Sequence, residues 1–184
     1  IDGETYPAGV PFMVIATQNP VETLGTFPLP EAQMDRFMMM LSMGLPSKEE
    51  ECRILERYMK EEPLAVLQPV VSLEELAQAK AEIENVFVHT CVLEYMVEIV
   101  SATRKGENVL MGVSPRGTLA LLHCAKAYAY LQGRNFVTPD DVKALAVAVL
   151  SHRIVMGYET TNNAKGFVES ILASTVVPTE EFGV

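Results

Sequence analysis

Val14-Ile15-Ala16-Thr17-Gln18-Asn19-Pro20 is an apolar, partly β-branched run that stops abruptly at three polar residues and a proline. Such a run predicts a buried strand, here from about Val10 to Ala16. The break then places the Asn19 carboxamide at the carboxyl end of that strand, the edge where open α/β sheets present ligand-contacting groups. A second apolar run, Phe37 to Met43, opens directly after Arg36 and predicts a second buried strand. Its Met38-Met39-Met40 stretch is expected to fill core rather than to form a soft binding surface. Between the two runs, Gly25, Pro28 and Pro30 mark a loop, and Glu31 to Asp35 a short helix.

Gly44-Leu45-Pro46-Ser47 marks a change of architecture, and the chain from there to about Leu150 reads as helical. Ser47 with Glu50 and Ser72 with Glu75 have capping-box spacing. Ser114-Pro115 and Thr138-Pro139 place a hydroxyl cap before a proline at the first helical position. The expected helices run over about 47–61, 72–86, 90–105, 115–132 and 138–151. Val92, Tyr95, Met96, Ile99 and Val100 form one apolar stripe. Leu119, Leu122, Ala125, Ala129 and Leu131 form another, which stops near Gly133, a left-handed cap. Such stripes cannot be buried singly, so the helices must pack as a bundle. Ile154 to Tyr158 reads as a short strand or an extended tail, and Asn162-Asn163 starts a last helix to about Ser174. The expected fold class is an α/β stub followed by an all-α bundle, mainly α overall. Its divisions fall at 1–45, 46–158 and 159–184.

The 184 residues carry a net charge of −10, which disfavours a general grip on nucleic acid. Acidic runs such as Glu49-Glu50-Glu51 read as solvated helix faces. No apolar run approaches the ~18 residues of a membrane helix, so no membrane partner is expected. Cys52, Cys91 and Cys124 are odd in number and far apart, without a CxxC pair. They predict reduced thiols in a cytoplasmic protein, and neither a disulfide framework nor a metal site. The adjacent His123 and Cys124 point about 100° apart on a helix and read as buried or half-buried bystanders rather than a catalytic pair. A chain opening on Ile1-Asp2-Gly3 is expected to derive from a longer parent.

Four segments in order, covering nearly the whole chain, carry a resemblance. They are Ala16-Thr17-Gln18-Asn19-Pro20, Gly25 through Phe37 (GTFPLPEAQMDRF), Val113-Ser114-Pro115-Arg116-Gly117, and Phe136-Val137-Thr138-Pro139-Asp140-Asp141-Val142. Together they resemble the carboxyl-terminal portion of a MoxR-type ATPase of the AAA+ superfamily. The resemblance implies an end of the AAA+ core followed by a helical lid, in a homo-oligomeric ring, expected to be a hexamer. It also implies remodelling or assembly of client proteins, with partners that carry von Willebrand A domains.

By that resemblance Asn19 is sensor 1, Arg36 the arginine finger and Arg116 sensor 2. An amide offers both donor and acceptor, so Asn19 could hold a water and a γ-phosphate oxygen together. A guanidinium at Arg36 could neutralise charge on a transferring phosphoryl group in a neighbouring subunit. Arg116 lies in the first turn of its helix, against the dipole, which suggests an anionic partner. The resemblance makes that partner the γ-phosphate, of its own subunit or of a neighbour. Gly117 stands where family members often carry alanine, a change expected to matter little. No G-x-x-x-x-G-K-[ST] phosphate loop and no strand ending in Asp-Glu occurs. ATP and Mg²⁺ are therefore expected to be bound mainly by residues outside this chain, which alone would neither bind ATP tightly nor hydrolyse it. The alternative is a non-enzymatic helical interaction module.

Overall fold

The computed structural model describes residues 3–7, 9, 11–18, 29–60, 62–106, 108–157 and 164–179. The chain divides into two units, Ile1–Val21 with Ser42–Ala81, and Glu22–Leu41 with Glu82–Val184.

The first unit holds helix α2 (Lys48–Tyr58), a 3₁₀ turn (Pro63–Val66) and most of α3 (Leu73–Glu84). Both helices start where reciprocal capping predicts. Glu50 N–H donates to Ser47 Oγ at 3.3 Å and Ser47 N–H to Glu50 Oε2 at 2.7 Å. Glu75 N–H donates to Ser72 Oγ at 3.1 Å and Ser72 N–H to Glu75 Oε2 at 2.8 Å. The backbone N–H bonds, with help from the serine hydroxyls, hold the Glu50 and Glu75 carboxyls below the usual carboxylate range. Neither helix buries a residue. Residues 11–18 form no strand, and Phe12, Met13, Val14 and Ile15 are exposed. The apolar pattern for a strand is present, but a strand exists only through the ladder it shares with a neighbour. No described segment supplies one.

The second unit contains the core. Its elements are α1 (Glu31–Met34), α4 (Thr90–Ala102), β1 (Val109–Met111), α5 (Pro115–Leu131), α6 (Pro139–Leu150), β2 (Val155–Met156) and α7 (Ala164–Ser174), with a 3₁₀ turn at Ser151–Arg153. The α4 stripe Val92, Tyr95, Met96, Ile99 and Val100 is buried as its spacing predicts. On α5 the buried face is Ala120, Leu121, Cys124, Ala125 and Ala129, whereas Leu119 and Leu131 are exposed. Of the expected stripe, Ala125 and Ala129 are buried and Leu122 packs against the core, so it fails at Leu119 and Leu131. The buried face is mostly small residues around Leu121, and α6 is the main partner of α5. Val142, Ala146, Val149 and Leu150 of α6 and Val168 and Ile171 of α7 complete the core.

Local chemistry sets the helix ends. At α6 Thr138 supplies the expected cap and completes a capping box with Asp141, and Arg134 grips the same carboxylate at 2.5 and 2.8 Å. Gly133, φ +73°, ends α5 in the left-handed region. His89 caps α4 through its ring Nδ1, which accepts from Cys91 N–H. Strands β1 and β2 pair antiparallel, Val109 with Met156 and Met111 with Val155. A parallel bridge joins Phe87 to Phe136 ahead of α4 and α6.

Phe37 to Met43 is not a strand either. The last four carbonyls of a helix lack intrahelical donors, and at the end of α6 this segment answers one of them and the Arg153 side chain another. Met40 N–H donates to Ala148 O at 2.9 Å, and Arg153 Nη1 to Val149 O. Of the three methionines only Met39 packs on the core, while Met38 and Met40 are exposed.

Candidate functional site

Asp35 ends α1, and its carboxylate gathers three donors from distant parts of the second unit. Ser114 Oγ donates to both carboxylate oxygens at 3.3 Å, Arg116 Nη1 lies 3.5 Å from Oδ2, and Arg153 Nε lies 3.2 Å from Oδ1. The last is an ion pair without hydrogen-bond alignment. Ser114 was expected to cap α5, but its side chain caps nothing there. Its hydroxyl turns to Asp35 instead, so the anion at the start of α5 is a carboxylate on another element, where the helix dipole favours negative charge.

Arg153 carries the most contacts here, and sequence reasoning missed it. Its side chain is 1% exposed. Nη2 donates to Phe37 O at 2.5 Å and to Asp35 O at 3.3 Å, and Nη1 to Met38 O at 3.3 Å and to Val149 O. Burial pushes the Arg153 guanidinium below its ordinary pKa, and the Asp35 charge pulls it back up. His152 Nε2 lies 2.9 Å from Arg153 Nη1 and 3.2 Å from Phe37 O. Burial, then the Arg153 charge, hold this imidazole below its usual pKa, so it is neutral at pH 7. A cation following the apolar run Ala144–Leu150 at the end of α6 was the available signal, since a buried charge must find partners.

Gly117 is what brings α5 up to this cluster. A Cβ there would meet Val113 Cγ1 at 2.3 Å and Arg153 Cδ at 2.9 Å, both on buried residues. The expectation that alanine would serve equally at this position is therefore wrong for this chain.

Arg36 and Arg116 flank Asp35, one as its chain neighbour and one as its ion-pair partner. Both are exposed, Arg116 with 58% of its side chain accessible. Arg36 makes no ion pair among the described residues. Asn19 lies outside the described residues. Thus two guanidinium groups share one carboxylate, and a third, Arg36, follows it with no ion-pair partner among the described residues. That donor set suits a multiply charged oxyanion such as a polyphosphate. Among the described residues no three His, Cys, Asp or Glu side chains converge where they could hold a metal ion. Two surface concavities among the described residues, at Arg134 with Asp141 and at Glu98 with Val176, are lined by none of Asp35, Arg36 and Arg116. Cys124 is buried, its thiol pushed up by burial, whereas His123 beside it is exposed rather than buried or half-buried. No helix among the described residues is long and apolar enough to cross a membrane.

Comparison with known proteins places the two ends of this site in two adjoining family models. Residues 1–39 match the "ATPase family associated with various cellular activities (AAA)" and residues 101–172 the "AAA lid domain". The chain is 43% identical to the uncharacterized protein YeaC of Bacillus subtilis over 187 aligned residues, covering 100% of this chain and 58% of that one. It is 40% identical to Chaperone MoxR1 of Mycobacterium tuberculosis, covering 86% of this chain and 44% of that one. A crystal structure from Cytophaga hutchinsonii, of a protein provisionally assigned as an ATPase, superposes with a TM-score of 0.87 at 35% identity. That match covers 96% of this chain and 57% of the other. The chain thus spans about half the length of the relatives it matches. With its mainly helical fold, its AAA and lid segments in order and these relatives, the chain belongs to the MoxR-type branch of the AAA+ ATPases.

Proposed function

We propose that this chain is the end of the nucleotide-hydrolysing core and the lid of a ring-forming ATPase that remodels or assembles client proteins. Residues 1–45 would close the core, 46–158 would form the lid, and 159–184 the terminal helix and tail. The observation that carries this is the pairing of Arg116 with Asp35, which sets two exposed guanidinium groups, Arg36 and Arg116, on either side of one carboxylate. Arg36 would reach the phosphate in a neighbouring subunit and neutralise developing charge, while Arg116 would hold the γ-phosphate. Asn19 would orient the attacking water through its amide. ATP with Mg²⁺, when bound, supplies the phosphoryl group that passes to water. The phosphate loop and the magnesium carboxylates would come from outside this chain, so the chain alone binds ATP weakly and hydrolyses none. A hexameric ring, a von Willebrand A domain partner and a cytoplasmic setting belong to the same proposal.

The test is ATP turnover by Arg36→Ala in the full-length protein, with ring assembly followed by size. Arginine fingers elsewhere contribute about 10³–10⁵ in rate, so a collapse of turnover in an intact ring is expected. Unchanged turnover would refute the finger. It would favour a non-enzymatic interaction module, for which α2 speaks by leaving Leu55, Tyr58 and Met59 exposed.

A further inference from the structure

We infer that Arg153 is a positioning residue for Arg36, aiming the exposed side chain by fixing the backbone on both sides of it. Nη2 of Arg153 donates to the carbonyl of Asp35 and to that of Phe37, the residues immediately before and after Arg36. Nε of the same guanidinium pairs with the Asp35 carboxylate. Three contacts from one buried group therefore converge on the tripeptide that has Arg36 at its centre. The other side-chain contacts to that tripeptide are those of Ser114 and Arg116 with the Asp35 carboxylate and of His152 Nε2 with Phe37 O, and none of them spans both sides of Arg36. Helix α1 is only four residues long, and its last turn adds Arg36 N–H to Gln33 O and Phe37 N–H to Met34 O, both at 3.1 Å.

The direction of an exposed side chain with no partner of its own is set by its backbone. A planar guanidinium can hold two carbonyls and a carboxylate in one fixed geometry, which a lysine ammonium cannot. The approach is closed from the other side by α5, where only glycine at 117 leaves room for the Arg153 Cδ. Asp35 also holds Ser114 and Arg116, so one carboxylate aligns the start of α5 with the turn that carries Arg36. Misplacing a reacting group by about 1 Å can cost on the order of 10²-fold in rate.

The inference rests on the proposed role of Arg36, and its test separates the two. In the full-length protein, kcat and KM for ATP are measured for Arg153→Lys, Asp35→Asn, Arg36→Lys and each pair with Arg36→Lys, alongside ring size and melting. The expected result is a kcat lower by roughly 10–100-fold in Arg153→Lys and Asp35→Asn, with KM and ring size unchanged. Neither substitution should lower kcat further in the Arg36→Lys background. Losses that multiply in that background, or an undiminished kcat in both variants beside a reduced one in Arg36→Lys, would overturn the inference while leaving the finger intact. An undiminished kcat in Arg36→Lys would remove the finger and this inference with it. Failure of both Arg153→Lys and Asp35→Asn to fold or assemble would also overturn it, making the cluster purely structural.

Discussion

Arg153 Nε lies 3.2 Å from Asp35 Oδ1, with the arginine side chain 1% and the carboxylate 26% exposed. A charge so deeply buried persists only where its donors find acceptors. Here they find the carbonyls of Asp35, Phe37, Met38 and Val149. The cluster thereby ties the turn after α1 to the end of α6.

Gly117→Ala is expected to destabilise the folded chain. In an open helix the change would stabilise by up to about 1 kcal/mol. Here the added methyl meets Val113 Cγ1 at 2.3 Å, and overpacking of this kind costs about 1–3 kcal/mol. Chemical denaturation of the variant against the parent checks the sign; a more stable variant would contradict the packing described.

Arg116→Ala should leave stability nearly untouched. Its pair with Asp35 is long, at 3.5 Å, and 58% of the arginine side chain is accessible, so less than about 1 kcal/mol is at stake. ATP turnover of the full-length protein should fall sharply all the same. A large loss of stability with normal turnover would make Arg116 structural.

Acid should weaken the second unit in two stages. The folded pKa of His152 is depressed from 6.5, first by burial and then by Arg153. Its contribution is complete above pH 6.5 and is lost as pH falls from there through the lower folded value. Burial opposes the charge of Asp141, but Arg134 and Thr138 outweigh it and depress its pKa from 3.8. That contribution is complete above the unfolded value and is lost only as pH falls below about 3.8. Melting temperature against pH should show both declines, and His152→Gln should remove the upper one alone.

Arg134→Ala should be far more damaging than Lys143→Ala. Asp141 is buried, its side chain 3% exposed, and Arg134 holds both its oxygens. Removing the partner of a buried charge costs up to about 3–5 kcal/mol, with Thr138 retaining part of it. Lys143 pairs with an Asp140 side chain that is 89% exposed, and such helical pairs contribute about 0.3–0.5 kcal/mol. Equal effects in denaturation experiments would contradict this ranking.

The helices were legible because their signals are local. Ser47 with Glu50, Ser72 with Glu75 and Thr138 with Asp141 lie three residues apart, and each box forms. The strands read at Val10–Ala16 and Phe37–Met43 were not safe, because an apolar run shows which residues want burial but not what lies beside them. Ser114 carried the pattern of a cap, yet its partner Asp35 is 79 residues away. Arg153 looked like any cation at a helix end, and its burial depends on the carbonyls of residues 35, 37 and 38 arriving from elsewhere in the chain. Of the site residues, Arg36 and Arg116 came from motif resemblance, and their common neighbour Asp35 emerged only in three dimensions.

The most direct measurement is the separation between the Arg36 and Arg116 guanidinium groups and the nearest phosphate oxygen, in the assembled full-length protein loaded with a non-hydrolysable ATP analogue. Both groups should lie within about 2.7–3.2 Å of a phosphate oxygen, Arg36 on the nucleotide of a neighbouring subunit. Finding both beyond hydrogen-bond reach of every phosphate in the ring would contradict the account.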